Sequence, residues 1–385
     1  MKPIRILVAP DSMKECLEAS EVAAAIRRGL VKRLPEAVIV ACPLSDGGEG
    51  MVRILASAVS AATIRLDVSD PLHRPVEAVY ALDEKNKTAY IEIAAASGMQ
   101  RVTPAERNPA VTCTFGTGEL IRDALRKGAT TILLGLGGSA TNDAGMGLLR
   151  ALGIQLYDKD HIPLAYGGLA LMRLADIDVS GCMEECARAT FILACDVSNP
   201  LTGTNGASYV YGPQKGADEQ MIQVLDQALS HAARVVQATT GKDLEQVAGT
   251  GAAGGTALAL LGFLHAELTR GFDLVARLTD LETHIQQADI VITAEGKLDA
   301  QSLNGKVPVG VAQLCRKYHK PCLVLAGSIQ PGAEKIVEYG AVYVSAIQNG
   351  PMTAEASMAQ AASLLEQKAF HLAGMFPLWL DNKNV

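Results

Sequence analysis

Several signatures that would assign a function at sight are missing from this 385-residue chain. It has eight cysteines but no C-x-x-C pair. Cys182 and Cys186 could share a helix face, with Cys195 further on, yet no histidine completes a zinc set. The thiols therefore read as free and buried, in keeping with a reducing cytoplasm. No basic run with interleaved aromatics occurs, and a net charge of −7 opposes a phosphate backbone, so nucleic acid is not an expected partner. The N-terminal MKPIRILVAP is too short an apolar run for a signal peptide. Val247 to Leu264 carries almost no charge, but glycines break it until Thr256, which points to a buried core helix rather than a membrane span. Internal repeats and low-complexity segments are absent. So are G-x-x-x-x-G-K-[ST], the protein-kinase motif set and the G-x-S-x-G elbow, which excludes a P-loop enzyme and argues against a serine hydrolase. These absences leave a soluble, cytoplasmic protein of small-molecule chemistry, with homo-oligomerisation open.

What is present is globular: 49% hydrophobic and 19% charged residues, in a chain long enough for two domains. The stretch Thr131 to Gly153 holds the most pointed pattern. Ile132 to Leu134 read as a buried strand. Gly135, Gly137 and Gly138 then form a loop with Ser139, Thr141, Asn142 and Asp143, and Met146, Leu149 and Leu152 define a helix ending at Gly153. A glycine loop between strand and helix suits a phosphate, because backbone N–H groups can approach an anion at the helix start. The same stretch also fits a dinucleotide fingerprint through Gly135, Gly137 and Ala140, with Asp158 after the next apolar run.

Taken in order, Ile4 to Ala9 form a strand followed by Asp11, Ser12 and Lys14. A helix capped at Ser20 should bury Val22, Ile26, Leu30 and Leu34, leaving its basic residues solvated. Val38 to Cys42 end in Ser45-Asp46-Gly47-Gly48-Glu49-Gly50. Val76 to Leu82 and Thr88 to Ala94 read as a hairpin, with Glu92 facing solvent, and suggest a different domain from about Asp67. Phe191 to Cys195 lead to Asp196, and a glycine-rich loop reaches Lys215. An amphipathic helix follows with Ile222, Leu225, Leu229, Ala232 and Val236 on its stripe and His231 exposed. Asp289 to Thr293 start a last group of strands, followed by Glu295, Lys297 and Asp299.

Five apolar strands thus end in acids: Asp11, Asp46, Asp143, Asp196 and Glu295. Open α/β sheets bind ligands beyond the carboxyl ends of their strands. Acids without zinc-type histidines favour magnesium, and magnesium with lysines and glycine loops suggests a nucleotide triphosphate. An oxidoreductase using a nicotinamide dinucleotide, or a non-catalytic nucleotide sensor, remains as an alternative. The first leaves the other acidic strand ends without a use, and the second leaves the acids themselves without one.

The segments APDSMKECLEASEVAAAI, PLSDGGEG, TFGTGELI, LGGSATNDAGMGLLRALG, ACDVSNPLTGTNGA, YGPQKGA, GTGAAGG and ITAEGKLDAQSLNGKVPVGVA together resemble the bacterial glycerate 2-kinase family. Met13 stands where that family usually has an aromatic, Ala294 where it has glycine, and Lys297 where arginine is common. The resemblance implies phosphorylation of D-glycerate by ATP, at the 2-hydroxyl. It also implies two different α/β domains with the active site in the interdomain cleft. One would be flavodoxin-like and discontinuous, residues 1–66 and 287–385, and the other would take 67–286. In that frame Asp196 is the candidate base, with Asp299 and Asp46 as rivals. Lys14 and Lys215 would meet phosphate or carboxylate. Gly47–Gly48 and Gly137–Gly138 would offer N–H donors, with Ser139 and Asn142 beside the nucleotide. Magnesium would fall to acids such as Asp46, Glu49, Asp143 or Glu295.

Overall fold

The computed structural model describes residues 3–13, 16–48, 50–299, 302 and 306–377. Among them the strands are β1 (Arg5–Val8), β2 (Val38–Ala41), β3 (Ala62–Ser69), β4 (Pro75–Asp83), β5 (Thr88–Glu92), β6 (Thr131–Gly135), β7 (Gln155–Tyr157), β8 (Asp176–Asp178), β9 (Thr190–Ala194), β10 (Glu267–Thr269), β11 (Ile290–Leu298), β12 (Cys322–Ile329) and β13 (Ala341–Ala346). The chain divides into two compact units, Met1–Asp46 with Phe272–Val385, and Gly47–Gly271.

The first unit is a five-stranded parallel sheet in the order β13-β12-β11-β1-β2. Counted within the unit this is 2-1-3-4-5, the flavodoxin-like order, whose topological switch lies between β1 and β11. The short apolar runs RILV and IVIT pack as central strands because helices cover both faces of such a sheet. The helix Ala19–Arg33 buries Val22, Ile26 and Leu30, as its spacing requires. It crosses the helix Ala361–Ala373 closely. A Cβ on Gly29 would lie 2.1 Å from the Glu366 carbonyl oxygen, so glycine is needed there. One expectation for this helix changes. It starts two residues earlier than a Ser20 cap would place it, with the Glu18 N–H donating to the Glu21 carboxylate. Its basic face is exposed as expected, with Arg28 and Lys32 both paired to Glu366.

The second unit carries a six-stranded sheet in the order β10-β9-β6-β5-β4-β3. Its β10-β9-β6-β5 half is parallel and its β5-β4-β3 half antiparallel. The expected hairpin is β4–β5. It stops at Glu92, because the chain turns helical at Ile93–Ser97, and Glu92 accepts the Val52 N–H at 2.8 Å rather than facing solvent. The helix Phe115–Arg126 buries Leu120, Ile121, Ala124 and Leu125, and Glu219–Thr240 buries the apolar stripe read from the sequence. Asp218 caps the latter, accepting the Met221 N–H at 2.8 Å, and His231 contacts the Leu174 carbonyl at 2.7 Å. Ala252–Phe263 is largely buried, its start bent by left-handed Ala253, Gly254 and Gly255 before it continues as a helix, and among the described residues no helix is long and apolar enough to cross a membrane.

The divisions at 46/47 and 271/272 lie earlier than the expected 66/67 and 286/287. The reason is strand pairing at one end and packing at the other. β3 pairs with β4 over its whole length, which claims residues 62–69 for the second sheet. Phe272 belongs to the first unit, where its ring fills the space a Cβ on Gly310 would need, 2.2 Å away.

Candidate active site

In the first unit the carboxyl ends of all five strands converge on one cavity of about 480 Å³. Asp11 follows β1, Asp46 follows β2, Glu295 and Lys297 come from β11, Gly327 and Ser328 from β12, and Gln348 follows β13. Lys306 also lines it, at the start of the helix Val307–Lys317. The cavity spans the β1/β11 switch, where the strand order reverses and the loops on either side splay apart.

Glu295 is the most perturbed acid there. It is only 4% exposed, and among the described residues its buried Oε1 has no hydrogen-bond partner. Burial pushes its carboxyl up to about 7, against the opposing pull of a Ser302 hydrogen bond and the Lys306 charge; Asp299 and Asp46 push it further up. Asp299 is more committed. Its Oδ1 accepts the Ser302 N–H at 3.1 Å and its Oδ2 pairs with Lys297 Nζ at 3.1 Å. That engagement counts against Asp299 as a free base, and it gives Lys297 a structural use as the fixed partner of the turn. Asp11 is nearly buried, and its Oδ1 accepts the Ser12 N–H at 2.7 Å.

In the second unit the pointed stretch behaves differently from expectation. Asp143 is fully buried and its carboxylate accepts four hydrogen bonds, from Thr114 N and Oγ1 at 2.9 Å each and from the N–H groups of Gly145 and Gly147 at 3.1 Å each. Its lone pairs are thereby used, so Asp143 is not a magnesium ligand in this arrangement. The helix that follows, Met146–Ala151, is only six residues long. Of its first N–H groups, Met146 donates to the Asp143 carbonyl, Gly147 to the Asp143 carboxylate and Leu148 to Thr114 Oγ1, so none of the three is free for a phosphate. The glycines of the loop serve close backbone approach. A Cβ on Gly137 would lie 2.7 Å from Gly48 Cα, and one on Gly135 would lie 2.6 Å from the Gly47 oxygen. The loop 47–48 and the loop 135–138 therefore pack back to back.

Asp196 stands just beyond β9, next to β6 in the sheet, half-buried, with Oδ1 accepting the Gly271 N–H at 3.0 Å. Lys215 is 2% exposed, and its Nζ donates to Ser139 Oγ at 3.1 Å and to the Thr141 carbonyl at 2.6 Å. Asn142 donates through Nδ2 to Ser208 Oγ at 3.1 Å. Lys14 and Glu49 lie outside the described residues. Among the described residues no three His, Cys, Asp or Glu side chains are grouped to hold a metal by themselves.

The glycerate kinase family model matches residues 6–376. The chain belongs to the glycerate kinase family. It is 47% identical to the glycerate 2-kinase of Escherichia coli K12, over 88% of each chain. It is 43% identical to the glycerate kinase of Bacillus subtilis 168, over 97% of this chain and 98% of that one. A crystal structure from Salmonella typhimurium LT2, provisionally assigned as glycerate kinase 2, superposes with a TM-score of 0.87 at 41% identity, covering 99% of this chain and all of that one.

The dinucleotide alternative loses its acid in this family member. Asp158 belongs to the small β7–β8 sheet region and not to the parallel sheet. It accepts the N–H groups of Asp160 and Ile162 at 3.0 Å and pairs with Arg173, which uses it as a turn former. Three participants went unread in the sequence. Ser302 and Lys306 sit in a segment whose geometry only the fold of the turn after β11 creates. Arg107 carries no motif at all, and its buried Nε is noticed only from its surroundings.

Proposed function

We propose that this chain transfers the terminal phosphoryl group of ATP to D-glycerate, producing 2-phosphoglycerate and ADP. One observation carries the reading: a chain of this family has a cavity at the switch point of a flavodoxin-like sheet, lined by acids and lysines and large enough for a nucleotide. Phosphoryl transfer asks mainly for positioning and for neutralisation of charge. Lys306 is placed to neutralise phosphate oxygens in that cavity.

Magnesium is usually held by one or two carboxylates together with phosphate oxygens rather than by a full protein cage. Glu295 fits that role, since its Oε1 is buried without a partner and its carboxyl is held up by burial, and Asp46 is its neighbour in the same cavity. The ion, when bound, supplies charge neutralisation on the phosphates. Asp196 is the proposed base for the acceptor hydroxyl. Its Oδ1 is pinned by the Gly271 N–H, which fixes the direction of the carboxylate.

The purified protein, given ATP, magnesium and glycerate, is expected to release ADP in step with phosphoglycerate. Given NAD(P) and glycerate it should produce no reduced cofactor, and the reverse result would discard the reading. Glu295→Gln is expected to raise the magnesium concentration needed for half-maximal rate by about tenfold or more. An unchanged magnesium requirement would remove Glu295 from the metal set.

A further inference from the structure

Lys215, Ser139, Thr141 and Asn142 are all buried in the second unit, and their hydrogen bonds do not close among themselves. Lys215 Nζ satisfies two acceptors, Ser139 Oγ and the Thr141 carbonyl. An ammonium has three donors. Thr141 Oγ1 is buried with no hydrogen-bond partner, and so is Asn142 Oδ1, although the other end of that amide is engaged with Ser208. Arg107 Nε is likewise buried and unpartnered. Its backbone runs against the lysine loop, since a Cβ on Gly216 would meet the Arg107 oxygen at 2.2 Å. Each such orphaned group costs about 1–3 kcal/mol, so two on adjacent residues, with a third on the residue whose backbone packs on the lysine loop, ask for an explanation beyond packing.

The backbone around them is strained as well. Ala144 and Ala253 hold φ values of 56° and 53°, in the left-handed region. A Cβ on Gly254 would lie 1.9 Å from the Thr141 oxygen, so the Thr141 carbonyl is locked between Gly254 and the lysine. Strain of this kind persists where the surrounding structure fixes a functional geometry.

We propose that this set is the acceptor subsite, taking a short 2-hydroxycarboxylate: Lys215, Arg107 and the Thr141 hydroxyl hold the carboxylate, and Asn142 Oδ1 accepts from a hydroxyl. The assignment rests on the glycerate kinase reading above and moves Ser139, Asn142 and Lys215 from the nucleotide to the acceptor. The donor and acceptor count supports it. The two cations and the threonine hydroxyl are donors, which suits a carboxylate with its several lone pairs, while the lone unpartnered acceptor suits an O–H. Charge supports it too. The anion beside Lys215, Asp143, already accepts four other hydrogen bonds, and among the described residues the lysine has no ion-pair partner of its own. Burial holds the Lys215 ammonium down to about 7, and a bound carboxylate would restore it.

The test is calorimetric titration of D-glycerate into the full chain, wild type against Thr141→Val and Arg107→Ala, with KM for ATP measured in parallel. The expected result is glycerate binding weakened about tenfold or more in both variants, with KM for ATP within about twofold of wild type. Near pH 8, wild-type binding should also take up a proton, seen as a dependence of the heat on buffer ionisation enthalpy. That uptake should vanish in Lys215→Met. Should Thr141→Val fail to fold, the half-buried Arg107 provides the same comparison. Unchanged glycerate affinity in the variants, or a rise confined to KM for ATP, would overturn the subsite and leave the kinase reading standing. Glycerate binding that the variants weaken, in a wild-type protein that forms no phosphoglycerate, would uphold the subsite and overturn the kinase. A wild type that binds neither glycerate nor lactate would overturn the subsite.

Discussion

At Asp143 four donors meet one carboxylate, whereas at Glu295 one buried oxygen finds no partner among the described residues. Both are acids beyond or within an apolar strand, and the sequence pattern treats them alike. Their work differs because of who surrounds them, which spacing along the chain does not encode. That strand ends would carry acids was legible; which acid is spent on structure was not, because Thr114 and Gly147 approach Asp143 only through the fold. Asp143→Ala is accordingly expected to lower unfolding free energy by about 3 kcal/mol or more, read by urea denaturation. A loss under about 1 kcal/mol would mean that the four bonds add little. Lys215 supplies a pH test. Its ammonium loses its proton near 7 in the folded chain and near 10.5 when unfolded. Between those values the unfolded chain binds more protons, so this group makes the protein more stable as pH rises, and its burial penalty is complete below about 7. In the ligand-free protein, wild-type stability relative to Lys215→Met should therefore climb from pH 7 to pH 9.5. A flat difference would show that the lysine stays charged in the folded state.

Elements were read with uneven success, and periodicity explains the difference. Glu219–Thr240 runs for 22 residues with its apolar stripe and its Asp218 cap in place, so sequence alone defined it. Asp218→Ala should cost about 1 kcal/mol, measured by thermal or chemical denaturation, and no effect would mean that water caps the helix equally well. Short elements were less legible. The strand β5 yields to a helix at Ile93, because tertiary packing outweighs local preference in short segments, although the six-residue helix Met146–Ala151 lies where its apolar spacing put it. The glycine loops were recognised as special, and one physical reason is close packing: a Cβ on Gly137 would lie 2.7 Å from Gly48 Cα. Gly137→Ala must push the loop 47–48 away, with an expected loss of about 1–3 kcal/mol and a fall in kcat, whereas an unperturbed variant would mean the two loops are free to move apart.

The chain as a whole shows a discontinuous first unit closed by the return of strand–helix alternation near Asp289, a feature the resemblance implied and composition could not. The strand order β10-β9-β6-β5-β4-β3 of the second unit was not legible, since pairing between distant strands leaves no mark on either one alone. Function at this scale rests on family membership together with the cavity at the switch point of the first sheet. The proposed carboxylate anchoring would account for transfer at carbon 2: with the carboxylate held, the adjacent carbon-2 hydroxyl is fixed more tightly than the freely rotating carbon-3 hydroxyl. Proton-coupled phosphorus NMR of the product formed from ATP, magnesium and D-glycerate tests this most directly. The account predicts a doublet, from a phosphate on carbon 2 coupled to a single proton. A triplet-like signal would contradict the position of transfer, and no phosphorylated glycerate at all would contradict the kinase itself.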